Sequence, residues 1–176
     1  WLRKGINLPS IAINVSAYQF RQEFYLTVDR VLRDTGFPPN LLVLEVTESV
    51  LMSDVSRTEH LLTQFRKLGI RIALDDFGTG YSSLAYLKKF SLDKLKIDRA
   101  FIDGLPDDKE DMAITSSILD VAKHLGLETI AEGVETEAQL NFLEAYGCDQ
   151  VQGFYFSKPL PLHEFELLIN SPNDPS

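Results

Sequence analysis

Short apolar runs alternate along this chain with longer stretches whose apolar residues recur at helical spacing, and a polar residue stands where each short run stops. Ile11 to Val15 is apolar apart from Asn14, and Ser16 can cap the periodic segment through Phe20, Phe24, Val28, Val31 and Leu32 to Gly36. That pattern predicts a strand followed by a helix. Pro38-Pro39-Asn40 turns the chain into a second apolar run, Leu41 to Val46, after which Ser53 and Asp54 open a helical pattern closed by Gly69. Arg71 to Asp75 predicts a third strand, and Ser82 to Phe90 a short helix with Leu84, Leu87 and Phe90 on one side. Lys94 to Ile97 follows as a strand, Asp111 to Leu125 as a helix, Glu128 to Ala131 as a strand, and Thr136 to Tyr146 as a helix ended by Gly147. A β segment from Gln150 to Phe156 and a helix from Leu162 to Ile169 complete the pattern within residues 1 to 170. The Pro/Asn/Ser tail, residues 171 to 176, is expected to be disordered.

Six β/α units in strict alternation imply a parallel α/β fold. The polar strand ends choose between an open sheet and a barrel. Asn14, Glu45, Asp75, Lys96, Glu132 and Gln152 each fall at or just after the C-terminal end of a different strand. An open sheet brings few strand ends to its switch point, whereas a closed ring makes them all converge on one face. The expectation is a partial TIM-type (β/α) barrel with about six of its eight units, because such barrels take about 250 residues and this chain has 176.

The composition, 44% hydrophobic and 24% charged, suits one globular domain. Net charge is −9 with no Lys/Arg block, which disfavours polymeric nucleic acid or an anionic membrane as a direct partner. The single cysteine, Cys148, forms no intrachain disulfide and fits a reducing, cytoplasmic setting. An opening on W-L-R-K-G looks cut from something longer, so membrane anchoring of a parent protein is not readable here.

The chemical centre is R-I-A-L-D-D-F-G-T-G-Y-S-S, Arg71 to Ser83. Side chains alternate along a strand, so Asp75 and Asp76 can share a site only if the strand ends there and the second acid belongs to the loop. Asn14, Glu45, Asp75, Asp76 and Glu132 are hard oxygen ligands, able to hold two magnesium or manganese ions in the arrangement used for displacement at phosphorus. Lys96 adds a positive point charge for the attacking water or the phosphoryl oxygens; the plainer alternative is an ion pair with Asp75 or Asp98. His60, His124 and His163 fall on predicted helices away from the strand ends, which disfavours zinc. Two rivals stand beside this reading. Gly78-Thr79-Gly80 imitates a nucleotide-binding glycine fingerprint, but its third glycine is Ser83 and two acids stand where a pyrophosphate belongs. An enolase-like barrel, with a lysine base and carboxylate-held magnesium, is compatible with the same residues.

The ordered motifs I-N-V-S-A at Ile13, L-E-V-T-E-S at Leu44, D-D-F-G-T-G-Y-S-S-L at Asp75, K-I-D-R at Lys96, A-E-G-V-E-T at Ala131 and Q-G-F-Y-F-S-K-P-L at Gln152 resemble the EAL domains, cyclic di-GMP phosphodiesterases of bacterial signalling. The resemblance implies that Asn14, Glu45 and Asp75 hold one metal, and that Asp76 and Glu132, with Asp75 shared, hold the second. Lys96 then positions the water, Glu48 braces the loop after Asp76, Gln152 lies near the substrate, and Glu135 is a weaker correspondence. It further implies attack of a metal-bound hydroxide on one phosphodiester of cyclic di-GMP, giving linear 5′-pGpG, and a homodimer through about Tyr81 to Leu95. Two absent strands would leave the first and last strands unpaired, so a dimer or larger species through open barrel edges is expected as well. The Glu-Ala-Leu (or Glu-Val-Leu) segment that names the family does not occur in the sequence. It is expected upstream of Trp1, in about 75 residues by the size rule for such barrels, so this stretch alone is expected to be nearly inert. A catalytically inactive cyclic di-GMP receptor, or an interaction module, is the alternative.

Overall fold

The computed structural model describes residues 1–6, 8–78 and 84–170. Six parallel strands form one sheet in the order of the chain: β1 (Ile11–Val15), β2 (Leu42–Thr47), β3 (Arg71–Phe77), β4 (Lys94–Ile97), β5 (Glu128–Glu132) and β6 (Gln150–Gln152). Helices α1 (Gln22–Thr35), α2 (Glu48–Ser53), α3 (Val55–Lys67), α4 (Leu84–Lys89), α5 (Lys109–Leu125), α6 (Glu137–Ala145) and α7 (Leu162–Asn170) lie between and after them. The sheet curls into a half-barrel. β1 and β6 each pair on one side only, among the described residues, and are its most exposed strands. No described helix is long and apolar enough to cross a membrane.

Most expected elements stand where the hydrophobic pattern put them, and the departures have local causes. The first helix begins at Gln22 rather than Ser16, because Gln19 turns back and accepts from both the amide and the hydroxyl of Ser16. α2 was not anticipated. It occupies E-S-V-L-M-S between two stronger signals and buries Glu48, Val50 and Leu51. The last strand stops at Gln152 instead of Phe156, since the chain turns there and Tyr155 donates to the Val134 carbonyl. The tail from residue 171 and the start of the third predicted helix, Ser82 and Ser83, lie outside the described residues.

Register explains how the two faces of the sheet divide. Asn14 pairs with Glu45, Glu45 with Ala73, Ala73 with Lys94, Lys96 with Ile130, and Glu132 with Gln152. Paired residues of parallel strands point to the same side, so these positions and their i+2 neighbours line the concave face. The alternate positions, Leu44, Val46, Ile72, Leu74, Leu95, Ile97 and Ala131, are essentially inaccessible and pack under the helices. Burying an aliphatic side chain of this kind stabilises by about 1.5–3 kcal/mol, so the outer layer holds the fold and leaves the inner one open to polar residues. The starts of two units are pinned by the same device. Asp93, just before β4, accepts from the Ile72 amide of β3 at 2.8 Å, and Asp149, just before β6, accepts from the Thr129 amide of β5 at 2.8 Å.

The exits of β5 and β6 approach each other without intervening side chains. Val134 donates to the Gln152 carbonyl at 3.1 Å and accepts from the Tyr155 amide at 3.0 Å, so the turn after β5 behaves as a short extension of the sheet. Gly153 lies in this contact, and a Cβ there would fall inside the Val134 backbone. Gly36, the left-handed C-cap of α1, faces open space. Gly153→Ala should therefore cost about 1–3 kcal/mol, as overpacking does, and Gly36→Ala about 1 kcal/mol, from backbone strain alone. Denaturant unfolding of both variants checks the order, and a Gly153→Ala chain as stable as the unaltered one would refute the packing assigned to this contact.

Candidate metal centre

Lys96 is the centre of the concave face. Its side chain is 5% exposed, and its ammonium lies 2.8 Å from Glu45 Oε2, 2.9 Å from Asp75 Oδ1 and 2.8 Å from Glu132 Oε1. An ammonium carries three hydrogens, so the three contacts saturate it. The carboxylates come from β2, β3 and β5, and the lysine from β4 between them. An ion pair with Asp75 or Asp98 was the plainer alternative in the sequence, and of the two acids it is Asp75 that Lys96 meets. A network of three acids goes further.

Asp75 and Asp76 converge by a different route from the one expected. The strand runs on through Phe77, but from Leu74 to Phe77 it advances three residues while β4 advances two, from Leu95 to Ile97. The extra residue makes a bulge, which re-aims a side chain beside it. Asp76 has φ 55, the one positive φ among described non-glycine residues, in a region that Asp enters more readily than most. Its amide donates to Asp75 Oδ1 at 3.1 Å. Carboxylate oxygens of Asp75, Asp76 and Glu132 thereby come within 4.8 Å of one another.

The charges do not balance. Burial alone would lower the Lys96 ammonium, but its bonds to Glu132, Glu45 and Asp75 hold it above the ordinary lysine value. Burial raises Glu132, and the nearby charges of Asp75 and Glu45 add to that, outweighing its bond to the shared lysine. Asp76 is raised by burial and then by the charges of Asp75 and Asp98. An acid raised in the fold binds its proton more readily there than in the unfolded chain. Stability therefore falls as pH rises above the ordinary carboxylate range and both acids ionise. Further positive charge is what the cluster lacks.

The donor set fits hard divalent cations. Asn14, at the level of Glu45 on β1, lies against the same carboxylates: its amide nitrogen donates to Glu45 Oε2 at 3.3 Å and Asp75 Oδ2 at 3.1 Å. Its amide oxygen and the carboxylate oxygens are donors of the kind that suits magnesium or manganese. The cleft of about 570 Å³ that opens over the concave face is lined in part by Ala12, Val43, Glu45, Ile130 and Gln152.

The other expected residues are distributed around this cluster. Gln152 ends β6 level with Glu132, and its side chain is exposed. Glu48 is buried at the first position of α2, immediately after β2; the loop it was expected to brace, from Thr79 to Ser83, lies outside the described residues. Glu135 turns to Arg99, 3.0 Å away. His60, His124 and His163 are exposed on α3, α5 and α7, apart from the cluster. Sequence reasoning missed a second buried lysine. Lys94 lies one layer below Lys96, 3.0 Å from Glu128 and 3.2 Å from Gln150 Oε1. Its signal was the i, i+2 spacing of two lysines in a four-residue strand.

A family model described as the EAL domain matches residues 1–159. The chain is 44% identical over 165 residues to the bifunctional diguanylate cyclase/cyclic di-GMP phosphodiesterase MucR of Pseudomonas aeruginosa, covering 93% of this chain and 24% of that protein. Across the first five curated relatives it matches, the chain spans between 20% and 24% of their length. Among solved structures, the EAL domain of Mycobacterium smegmatis DcpA superposes with a TM-score of 0.90 at 38% identity, covering 96% of this chain and 77% of that one. A manganese and cyclic di-GMP complex of Klebsiella pneumoniae BlrP1 superposes with a TM-score of 0.81 at 31% identity, covering 90% and 40%.

A cation that binds the native state stabilises it by mass action, so magnesium or manganese should raise the melting temperature. Asp75→Asn should remove most of that rise, and His124→Gln, on the exposed face of α5, should leave it intact. Lys96→Met should destabilise the metal-free chain by about 3 kcal/mol, the cost of breaking a buried ion pair from one side, and manganese should restore part of the loss. Equal thermal shifts in Asp75→Asn and the unaltered chain would place the metal elsewhere.

Proposed function

The chain belongs to the EAL domain family, and on that premise we propose that it is the hydrolytic module of a cyclic di-GMP phosphodiesterase. The observation that carries the reading is the cluster at one end of the half-barrel, where Glu45, Asp75 and Glu132 from three strands surround Lys96. Relatives with cyclic di-GMP phosphodiesterase in their names align over more than nine-tenths of the chain, which supports the same substrate here.

Asn14, Glu45 and Asp75 would hold one divalent ion, and Asp75, Asp76 and Glu132 the second, magnesium or manganese in each case. Such a pair supplies a nucleophile at neutral pH and charge stabilisation at both oxygens of an in-line displacement. The carboxylates of Glu132, Glu45 and Asp75 hold Lys96 above its ordinary value, and we read it as a fixed cation and donor. Its place among the carboxylates suits it to orient the attacking water and to offset charge on the phosphoryl oxygens. Gln152, beside Glu132 and open to the cleft, would donate to substrate. Glu48 supports the site from the base of α2. Water adds to one phosphorus, the bond from phosphorus to O3′ breaks, O3′ takes up a proton, and linear 5′-pGpG leaves.

The same reading makes the module cytoplasmic and self-associating. In the segment from about Tyr81 to Leu95, residues 81–83 lie outside the described residues. The side chains of Leu87, Phe90, Leu92 and Leu95 are buried in the chain's own core, while those of Lys88 and Lys89 are exposed. A second copy would meet the charged side of this segment and the single-sided edges of β1 and β6.

Chromatography of nucleotides after incubation with cyclic di-GMP and manganese tests the proposal, using both this chain and the longer protein that carries it. The longer protein should release 5′-pGpG, and Glu45→Ala or Lys96→Ala should abolish the release. Metal-dependent binding of cyclic di-GMP with no cleavage would replace the hydrolase by a receptor.

A further inference from the structure

The turn after β4, residues 98–102, lies between the turns that follow the acid-bearing ends of β3 and β5. On one side stands Gly78, two residues past Asp76, with φ +97; a Cβ there would lie 2.9 Å from Phe101 Cε2 and 3.2 Å from Cζ, so the ring rests on the Gly78 backbone. On the other side stands Gly133, immediately after Glu132, with φ +76. A Cβ there would lie 2.8 Å from Arg99 Cβ and 2.9 Å from Cδ, so the Arg99 stem lies on the Gly133 backbone. The guanidinium then spans Glu135, 3.0 Å from Nη1, and Asp103, 3.0 Å from Nε.

This turn is itself held from behind. Fully buried Thr115 donates to the Phe101 carbonyl at 3.0 Å, and buried Gln139 donates to the Ile102 carbonyl at 3.0 Å. The other end of the Gln139 amide accepts from the Glu135 and Thr136 amides at 2.8 and 3.0 Å. Asp76 and Glu132 sit on strands that do not pair with each other, yet their carboxylates lie within 4.8 Å. The ladder joins β3 to β5 only through β4, by the pairs Phe77–Ile97 and Ile97–Ala131; at the bulge it skips Asp76 itself, whose unfavourable φ persists only where its surroundings enforce it.

We propose that Arg99 and Phe101 are positioning residues of the metal centre: the turn that carries them couples the end of β3, with Asp75 and Asp76, to the end of β5, with Glu132, and fixes the spacing of their carboxylates. This rests on reading the cluster as a divalent-metal site. Groups that orient ligands without touching the metal typically change its affinity by about 10–100-fold when removed.

The test measures two things in Phe101→Ala, Arg99→Ala and Arg99→Lys. Deuterium exchange of Phe101→Ala should quicken at the amides of Val134, Glu135 and Thr136, on the side Phe101 does not touch, and Arg99→Ala should quicken exchange at Phe77 and Gly78. Calorimetric titration with Mn2+ should show affinity lowered about tenfold or more in both. Arg99→Lys, which keeps the stem on Gly133 but loses the fork to Glu135 and Asp103, should fall between. If Phe101→Ala does not fold, Phe101→Leu and the two Arg99 variants carry the same comparison. Unchanged exchange at the far turn together with unchanged Mn2+ affinity overturns the coupling alone. An unaltered chain that binds no Mn2+ overturns the metal centre and this proposal with it.

Discussion

A single buried ammonium shared by three carboxylates is the constraint around which the concave face is built. Two of those acids, Asp75 and Glu45, have side chains only 11% exposed, and Glu132 21%. Charges so far from water are costly unless paired. One lysine cannot neutralise three acids and a fourth, Asp76, beside them. The apolar layer under the helices is what makes that imbalance tolerable, because it stabilises the sheet independently of the polar face. The fold can therefore carry a cluster that, by itself, opposes folding.

The parallel architecture supplies the convergence. In an antiparallel sheet neighbouring strands would present alternate ends, and acids at successive strand ends would divide between two edges. Here every strand ends on the same side, and curling brings β2, β3, β4 and β5 within the reach of one side chain. Strand stagger adds depth. Asp75 is level with Thr47, while Glu45 is level with Ala73, so the acids approach Lys96 from different heights and all three of its hydrogens find partners.

Much of this was legible in the sequence, because periodicity and strand-end polarity are local signals. Asn14, Glu45, Asp75, Lys96 and Glu132 were identified by falling where apolar runs stop, and the structure gathers them. The expected geometry of Asp76 was not legible. Alternation required the strand to end before it, whereas a bulge and a positive φ let the strand continue to Phe77; neither leaves a mark in an apolar/polar pattern. Glu48 could be marked as a residue of interest, but not as the start of a helix, because α2 is six residues long and lies between stronger patterns. Lys94 was passed over because a buried lysine cannot be told from an exposed one until its neighbours on β5 and β6, Glu128 and Gln150, are known.

The glycines show why the supporting residues stayed hidden longest. Gly78 and Gly133 both hold positive φ, which a turn glycine permits. In the fold each is also a receptacle, one for the ring of Phe101 and one for the stem of Arg99. Sequence names the empty position and gives no hint of what fills it, because the occupant arrives from a different β/α unit. Residues that hold chemistry in a barrel can be found from strand ends, one strand at a time. Residues that hold the spacing between strand ends belong to pairs of turns, and only the closed contacts between those turns reveal them.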